Sequence, residues 1–409
     1  MATKTFSYEA IDSSGAMLKG KIEADSKENA ANALAEQRLV PLAVKGEGTG
    51  LQKEFKIPGF GGRTSLKDLA VLSRQFASMT TSGLTLLRSL AILEEQASKP
   101  KLRAALTQIR SDVQGGVALS TAMALHPDQF PPLMINMIKA GEAGGFLDEA
   151  LSRVAKMYEA DANLRAKIKS AMTYPVIVLI FSLLLGTGVI IFIVPVFQKM
   201  FTNLGGQLPL PTQIMVTLSN NMMWVLPLTL VTVFVLLRAY RTATQKNYAF
   251  RLQMDRIKLK LPVFGPLFSK LAISRWSRNL GTLLAVGVPV IQALEIVGGT
   301  AGNAVVSEAM NDVKDSVRTG SQISGPLSKH PLFPNMVVQM LEVGEETGNI
   351  TEMLDKVADF YDHEVTTATE SLTSAMEPLL VVLLGAVIGT MVICLYLPMF
   401  SVYQHIQTN

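Results

Sequence analysis

The sequence predicts a mostly α-helical integral membrane protein. It reads as three transmembrane helices, two homologous cytoplasmic helical-bundle domains and a small α/β N-terminal module. Three observations carry this. Hydrophobic residues make up 49% of the 409 residues and charged residues only 17%, against about 25% charged in an ordinary soluble domain. Three long apolar stretches are marked off by prolines. The chain also repeats itself in one continuous register.

The N-terminal module covers residues 1–45. "TFSYEAIDSSGAMLKGKIEAD" alternates like two strands around a Ser-Gly turn. "SKENAANALAEQR" reads as a short helix with Ser26 as N-cap, and "LVPLAVK" as a further strand. The opening "MATKTFSYEA" has no basic region followed by an apolar core, so no cleavable signal is expected and the N-terminus is read as cytoplasmic. Residues 46–64 are a Gly-rich linker.

The first bundle is assigned to residues 65–174. Ser65 and Asp68 are spaced like a capping box, and Leu69, Leu72, Phe76 and Met79 follow at helical spacing. Later, Leu147, Leu151, Val154 and Tyr158 form a second stripe on a helix that little interrupts before Pro175. A bundle of about six helices is expected.

The spans follow from length, since a hydrocarbon core of about 30 Å needs roughly 20 apolar helical residues. The first is "VIVLIFSLLLGTGVIIFIV", bracketed by Pro175 and Pro195 and assigned to 175–197. A short periplasmic loop, 198–213, precedes the second span, 214–237, which Pro227 is expected to kink. A basic cytoplasmic connector occupies 238–266 and the second bundle 267–377. The third span, 378–398, contains "LLVVLLGAVIGTMVICLYL" between Pro378 and Pro398, and 399–409 are a periplasmic tail. Orientation is read from Lys and Arg. They crowd "LRAKIKSAMTY" and "RAYRTATQKNYAFRLQMDRIKLK", whereas Lys199 is the one charge between the first two spans and no Lys or Arg follows the third. The same distribution explains the pI near 9.0 without nucleic acid, and no nucleic-acid partner is expected.

The repeat appears when the sequence is shifted by 204 residues. Arg74 meets Arg278, Gly83 meets Gly287, Ser120 meets Ser324, and His126-Pro127 meets His330-Pro331. One residue then drops out and the shift becomes 203. Gly141-Glu142 meets Gly344-Glu345, Tyr158 meets Tyr361, and Pro175 and Pro195 meet Pro378 and Pro398. The repeated unit is a bundle plus the span after it. The second span returns the chain to the cytoplasmic side.

Few residue patterns speak for chemistry. There is no G-x-x-x-x-G-K-[ST] phosphate loop, no H-E-x-x-H, no G-x-S-x-G, and one cysteine, Cys394, inside the third span. No catalytic residue, cofactor or metal is assigned. The span centres carry no ionisable group, which argues against an ion-coupled transporter. The twin phrases "AGEAGGFLDEAL" and "VGEETGNITEML" are the one candidate site. Glu142 and Glu345 could contact a cation or a basic partner. The preferred reading is a helix-loop-helix joint, in which Gly141 and Gly344 let one helix end, Gly145 and Gly348 set up the next, and acids lie near its first turn. As repeated surface features, the two glutamates are expected to tolerate alanine.

The duplicated "SGLTLLRSL" and "GVPVIQAL", the two Gly-Glu-x-x-Gly joints, the "YP" before the first span and the "YLPMF" ending resemble the inner-membrane platform proteins of type IV pilus and type II secretion machines (the PilC/GspF family). The likeness runs from "YEAIDSSGAMLKGKIEA" to "YLPMF". Thr85 stands where a proline is frequent, and Gly144 where Ser or Thr is common. The resemblance implies a non-enzymatic platform in a bacterial inner membrane, with the N-terminus cytoplasmic and the C-terminus periplasmic. Its implied partners are assembly and retraction ATPases (cytoplasmic hexamers), pilin or pseudopilin subunits, inner-membrane alignment proteins and further copies of the chain. A type IV pilus is the leading expectation, a type II secretion system the alternative, and a small-molecule transporter a distant one.

Overall fold

A computed structural model describes residues 4–11, 17–24, 29, 33, 40–46, 64–203 and 210–407. The chain divides into two compact units, Met1–Gly62 and Arg63–Asn409.

In the first unit three strands form one antiparallel sheet: β1 (Lys4–Ile11), β2 (Met17–Ala24) and β3 (Val40–Gly46), in the order β2-β1-β3. Tyr8 lies opposite Gly20 on one side and Val44 on the other, and the register to β3 shifts between Glu9 and Ala10. Asn29 and Ala33 are helical. The rest of the helix expected over 26–38 lies outside the described residues, as does most of the linker.

In the second unit the described elements of each repeat copy are six helices. The first copy has α1 (Leu66–Thr81), α2 (Leu86–Gln96), α3 (Pro100–Gln114), α4 (Leu119–Ala124), α5 (Pro132–Gly144) and α6 (Leu147–Gly188). A five-residue π segment, Val189–Ile193, and α7 (Val194–Asn203) continue α6. Two helices lead back: α8 (Leu210–Lys246) and α9 (Tyr248–Lys260). The second copy has α10 (Gly265–Ala285), α11 (Val290–Thr300), α12 (Ala304–Arg318), α13 (Ser324–Leu327), α14 (Asn335–Thr347) and α15 (Ile350–Gln407).

The capping box at the start of α1 is formed. Ser65 Oγ accepts from the Asp68 amide at 3.3 Å, and Asp68 accepts from the Ser65 amide at 3.0 Å, which satisfies donors a helix start leaves open. Burial opposes the Asp68 charge, but hydrogen bonds from Lys99 and Ser65 outweigh it and hold its carboxyl below the usual value. Leu69, Leu72 and Phe76 are buried against α6, whose Leu151, Val154 and Tyr158 are buried in turn. The twin stripe, Leu354, Val357 and Tyr361, does the same against α10. One continuous core runs through both copies. Its largest buried residue is Trp276, whose indole N–H donates to Met310 Sδ at 2.9 Å and whose ring meets Phe333 edge-on.

Towards the spans, Leu164, Leu267, Val365 and Leu372 form a second, smaller core where α6 and α15 run together. Beyond it the apolar windows of three helices are long enough to cross a membrane and almost wholly exposed, as lipid-facing segments must be.

The prolines do not end the helices that carry the spans. Pro175 lies inside α6, Pro227 inside α8, and both Pro378 and Pro398 inside α15. Each proline removes one N–H donor, while in hydrocarbon the remaining backbone has no partner except the helix itself. The helix therefore persists. The π segment before Pro195 was not legible in the sequence. Its Ile190 carbonyl is not left bare: Ser219 Oγ on α8 donates to it at 2.6 Å.

Candidate functional site: the twin joints and the seam between repeats

The two Gly-Glu phrases form the same device twice, but not the one expected. Gly141 and Gly344 do not end their helices. Both are buried within them, and a Cβ at Gly141 would lie 2.5 Å from Ala150 Cβ, one at Gly344 2.9 Å from Ile350 Cα. They let α5 and α14 press on the helices that follow. The stops are Gly145 and Gly348, at φ +73° and +75°, a region that suits glycine.

The glutamates serve an earlier helix rather than the next one. Glu142 Oε1 accepts from the Leu119 amide at 2.5 Å and Oε2 from the Ser120 amide at 2.9 Å. Glu345 Oε1 accepts from the Ile323 amide at 2.5 Å, and its Oε2 from the Ser324 amide and hydroxyl at 3.1 and 2.6 Å. Each carboxylate thus closes the start of the short helix α4 or α13, whose amides have no carbonyl one turn back. The physical reason is chain order. The left-handed glycine comes after the glutamate, so the acid belongs to the outgoing helix and faces back across the bundle. Both oxygens of each side chain are engaged by donors of their own bundle. The first turn of α6 has its own acids, Asp148 and Glu149.

A second duplicated contact ties the first helix of each copy to its long helix. Arg74 donates through Nε to Glu159 at 2.5 Å. Arg278, its register twin, donates to Asp362 at 2.6 Å and to Asp359 at 2.9 Å. Glu159 and Asp362 are themselves twins at the shift of 203. Sequence reading paired the arginines but overlooked these acids, although the same register aligns them. The first pair is more exposed, with side chains 46% and 32% accessible against 20% and 25% for Arg278 and Asp362. The hydrogen bond from Arg74 keeps the Glu159 carboxyl below its ordinary value. Burial disfavours the Arg278 charge, yet its two carboxylates outweigh this and hold it above its ordinary value.

Between the copies, Arg275 on α10 meets Asp161 on α6 at 3.1 Å. This contact has no twin, because the register partner of Arg275 is Val71. A cavity of about 200 Å³ lies beside it, lined by Tyr158, Asp161, Arg165, Arg275, Arg278 and Asp362 among others. Burial lowers the Arg275 value and raises that of Tyr158. The Arg275 and Arg278 guanidiniums each meet a carboxylate, while Arg275 Nε and the Tyr158 hydroxyl are buried without a hydrogen-bond partner among the described residues. Among the described residues no group of three or more His, Cys, Asp or Glu could hold a metal ion.

Comparison with known proteins agrees with this layout. The type II secretion system protein F domain is matched twice, over residues 72–195 and 276–398, and its N-terminal domain over residues 1–45. The two matched segments fall on the two repeats. The type IV pilus assembly protein PilC of Thermus thermophilus is 43% identical over 399 residues, covering 97% of this chain and 98% of its own. PilC of Myxococcus xanthus is 40% identical over 410 residues, covering 99% and 97%. The type II secretion system protein F of Vibrio cholerae is 29% identical over 399 residues, covering 97% and 98%. With two copies of the bundle-plus-span unit behind an N-terminal domain of the same kind, the chain belongs to the type II secretion system protein F family.

Proposed function

We propose that this chain is the inner-membrane platform of a type IV pilus assembly machine, coupling a cytoplasmic hexameric ATPase to the extraction and addition or removal of pilin subunits. The observation that carries the reading is mechanical. Each bundle is continuous with a membrane-length helix, α6 or α15, and the two are locked together at the seam. A force on a bundle would reach the bilayer along an unbroken rod. Relatives named as pilus assembly proteins over almost the whole chain support the pilus. A non-enzymatic role fits, because the coupling needs no chemistry from the chain.

In this reading both bundles and residues 1–45, as a small α/β module, face the cytoplasm, and the 198–213 loop and the C-terminal tail face the periplasm. Residues 175–197, 214–237 and 378–398 are the bilayer-embedded parts of longer helices. Pilins and alignment proteins would meet the spans. Glu142 and Glu345 hold the bundles in shape, a role the engaged oxygens favour over cation contact.

Site-specific crosslinking from the bundles is expected to capture the ATPase hexamer. Fibre assembly that survives deletion of both bundles would overturn the coupling role. The second reading, a type II secretion platform, is favoured by relatives such as the Vibrio cholerae protein. Complementation of a pilus-defective and a secretion-defective strain separates the two.

A further inference from the structure

Besides the packing of α6 on α15 and on α10, the two copies touch through a contact that runs one way. Helix α11 of the second copy packs on α5 of the first. Gln292 Nε2 reaches Asn136 Oδ1 at 3.4 Å, and the turn Gly287-Val288-Pro289 faces Lys139, Ala140 and Phe146 across a shallow groove. The reverse contact would set α2 of the first copy on α14 of the second. Among the described residues these two helices are not a packed pair. A symmetric pair would use both contacts, so this one is heterologous and leaves one complementary face open at each end.

The register identifies those faces. Gln292 corresponds to Arg88 and Val288 to Leu84, while Asn136, Lys139 and Ala140 correspond to Gln339, Glu342 and Val343. Val288 is 5% exposed, whereas its twin Leu84 is 36% exposed, and Val343 is 49% exposed. The Gly83 and Gly287 turns share the same backbone, with φ of +84° and +74°. Arg88, Glu342 and Glu346 are exposed, and none enters an ion pair among the described residues.

We propose that these open faces bind each other between chains. The Leu84–Arg88 turn of one molecule would dock on the α14 joint of a second copy, repeating the contact that α11 and α5 make within each chain. Charge selects this pairing. Arg88 would stand opposite Gln339, one helical turn from Glu342 and two from Glu346, whereas the first copy's own joint carries Lys139 there and repels it. The membrane limits the outcome. Both copies send a long helix into one bilayer, so the operation relating them turns about an axis near the membrane normal. Repetition then closes a ring in the membrane plane instead of growing a fibre. The inference deepens the self-association expected of a platform and rests on the platform reading only for the shared bilayer.

The test uses the full chain in native membranes with Cys394 replaced by alanine. Leu84→Cys carries one affinity tag and Val343→Cys another, and the two are co-expressed and treated with a short bismaleimide. The expected product is a dimer bearing both tags, with neither variant crosslinking to itself. Arg88→Glu should reduce that product about fivefold, the upper range for a surface ion pair, and Glu342→Arg in the second chain should restore it. Self-crosslinking of either variant, absence of the mixed dimer, or failure of the charge swap to restore it overturns the contact. Fibre assembly is scored in the same cells. Normal fibres without the crosslink would sink this interface and leave the platform function standing.

Discussion

At the scale of residues, Glu142 and Glu345 are buttresses for a short helix start. Replacing either by alanine orphans two backbone amides, and at Glu345 the Ser324 hydroxyl as well. Losing an acceptor for partly buried donors costs about 1–3 kcal/mol. Glu345→Ala is therefore expected to lower the thermal midpoint of the detergent-purified protein more than Glu142→Ala. Both should still insert in the membrane, because the spans do not depend on the joint. Equal midpoints for both variants and the parent would remove the capping role. The sequence made the glutamates conspicuous through their repetition. It could not reveal their acceptors' donors, because Leu119 and Ser120 lie 23 and 22 residues back and meet Glu142 only once α5 folds across α4.

At the scale of elements, each first helix is bound to its long helix by a twin ion pair on top of an apolar stripe. The second pair is less exposed and engages two acids. Arg278→Ala is expected to cost about 1–3 kcal/mol, since it strands the partly buried Asp362 carboxylate. Arg74→Ala should cost less, and chemical denaturation of the two variants gives the comparison. The pH dependence follows from Glu159, whose folded value is depressed by Arg74. Its contribution is fully present above the unfolded value near 4.5 and is lost as pH falls below that. The gap between parent and Arg74→Ala should accordingly narrow below about pH 4.5 and stay constant above it. The helical periodicity of these elements was readable from their apolar stripes. The behaviour of the prolines was not, because whether a proline ends a helix depends on the surrounding solvent, and hydrocarbon offers the backbone no alternative partner.

At the scale of the whole molecule, the proposed orientation rests on basic residues: Arg165, Lys167 and Lys169 within α6, and Arg238, Arg241 and Lys246 at the end of α8. A phosphatase reporter that works only in the periplasm is expected to be active when fused within 204–209 and inactive when fused at Asn247. The opposite pattern would invert the platform and place both bundles away from any ATPase. The repeat also has a consequence that neither bundle shows alone. Two homologous bodies on one chain can meet face to face or head to tail, and the packing of α11 on α5, with no reverse counterpart among the described packed helix pairs, marks the second arrangement.

The sequence by itself determined the three membrane-length apolar stretches, the duplication and the stripes that become the cores of the bundles. These properties are local or periodic: apolar length, helical spacing and a constant register are written along the chain. Only the tertiary structure decided what Glu142 and Glu345 hold, which acids answer Arg74 and Arg278, and how the second copy leans on the first. Those facts join residues 21 to 156 positions apart, and partners at such distances are chosen by packing in three dimensions, which no one-dimensional pattern encodes.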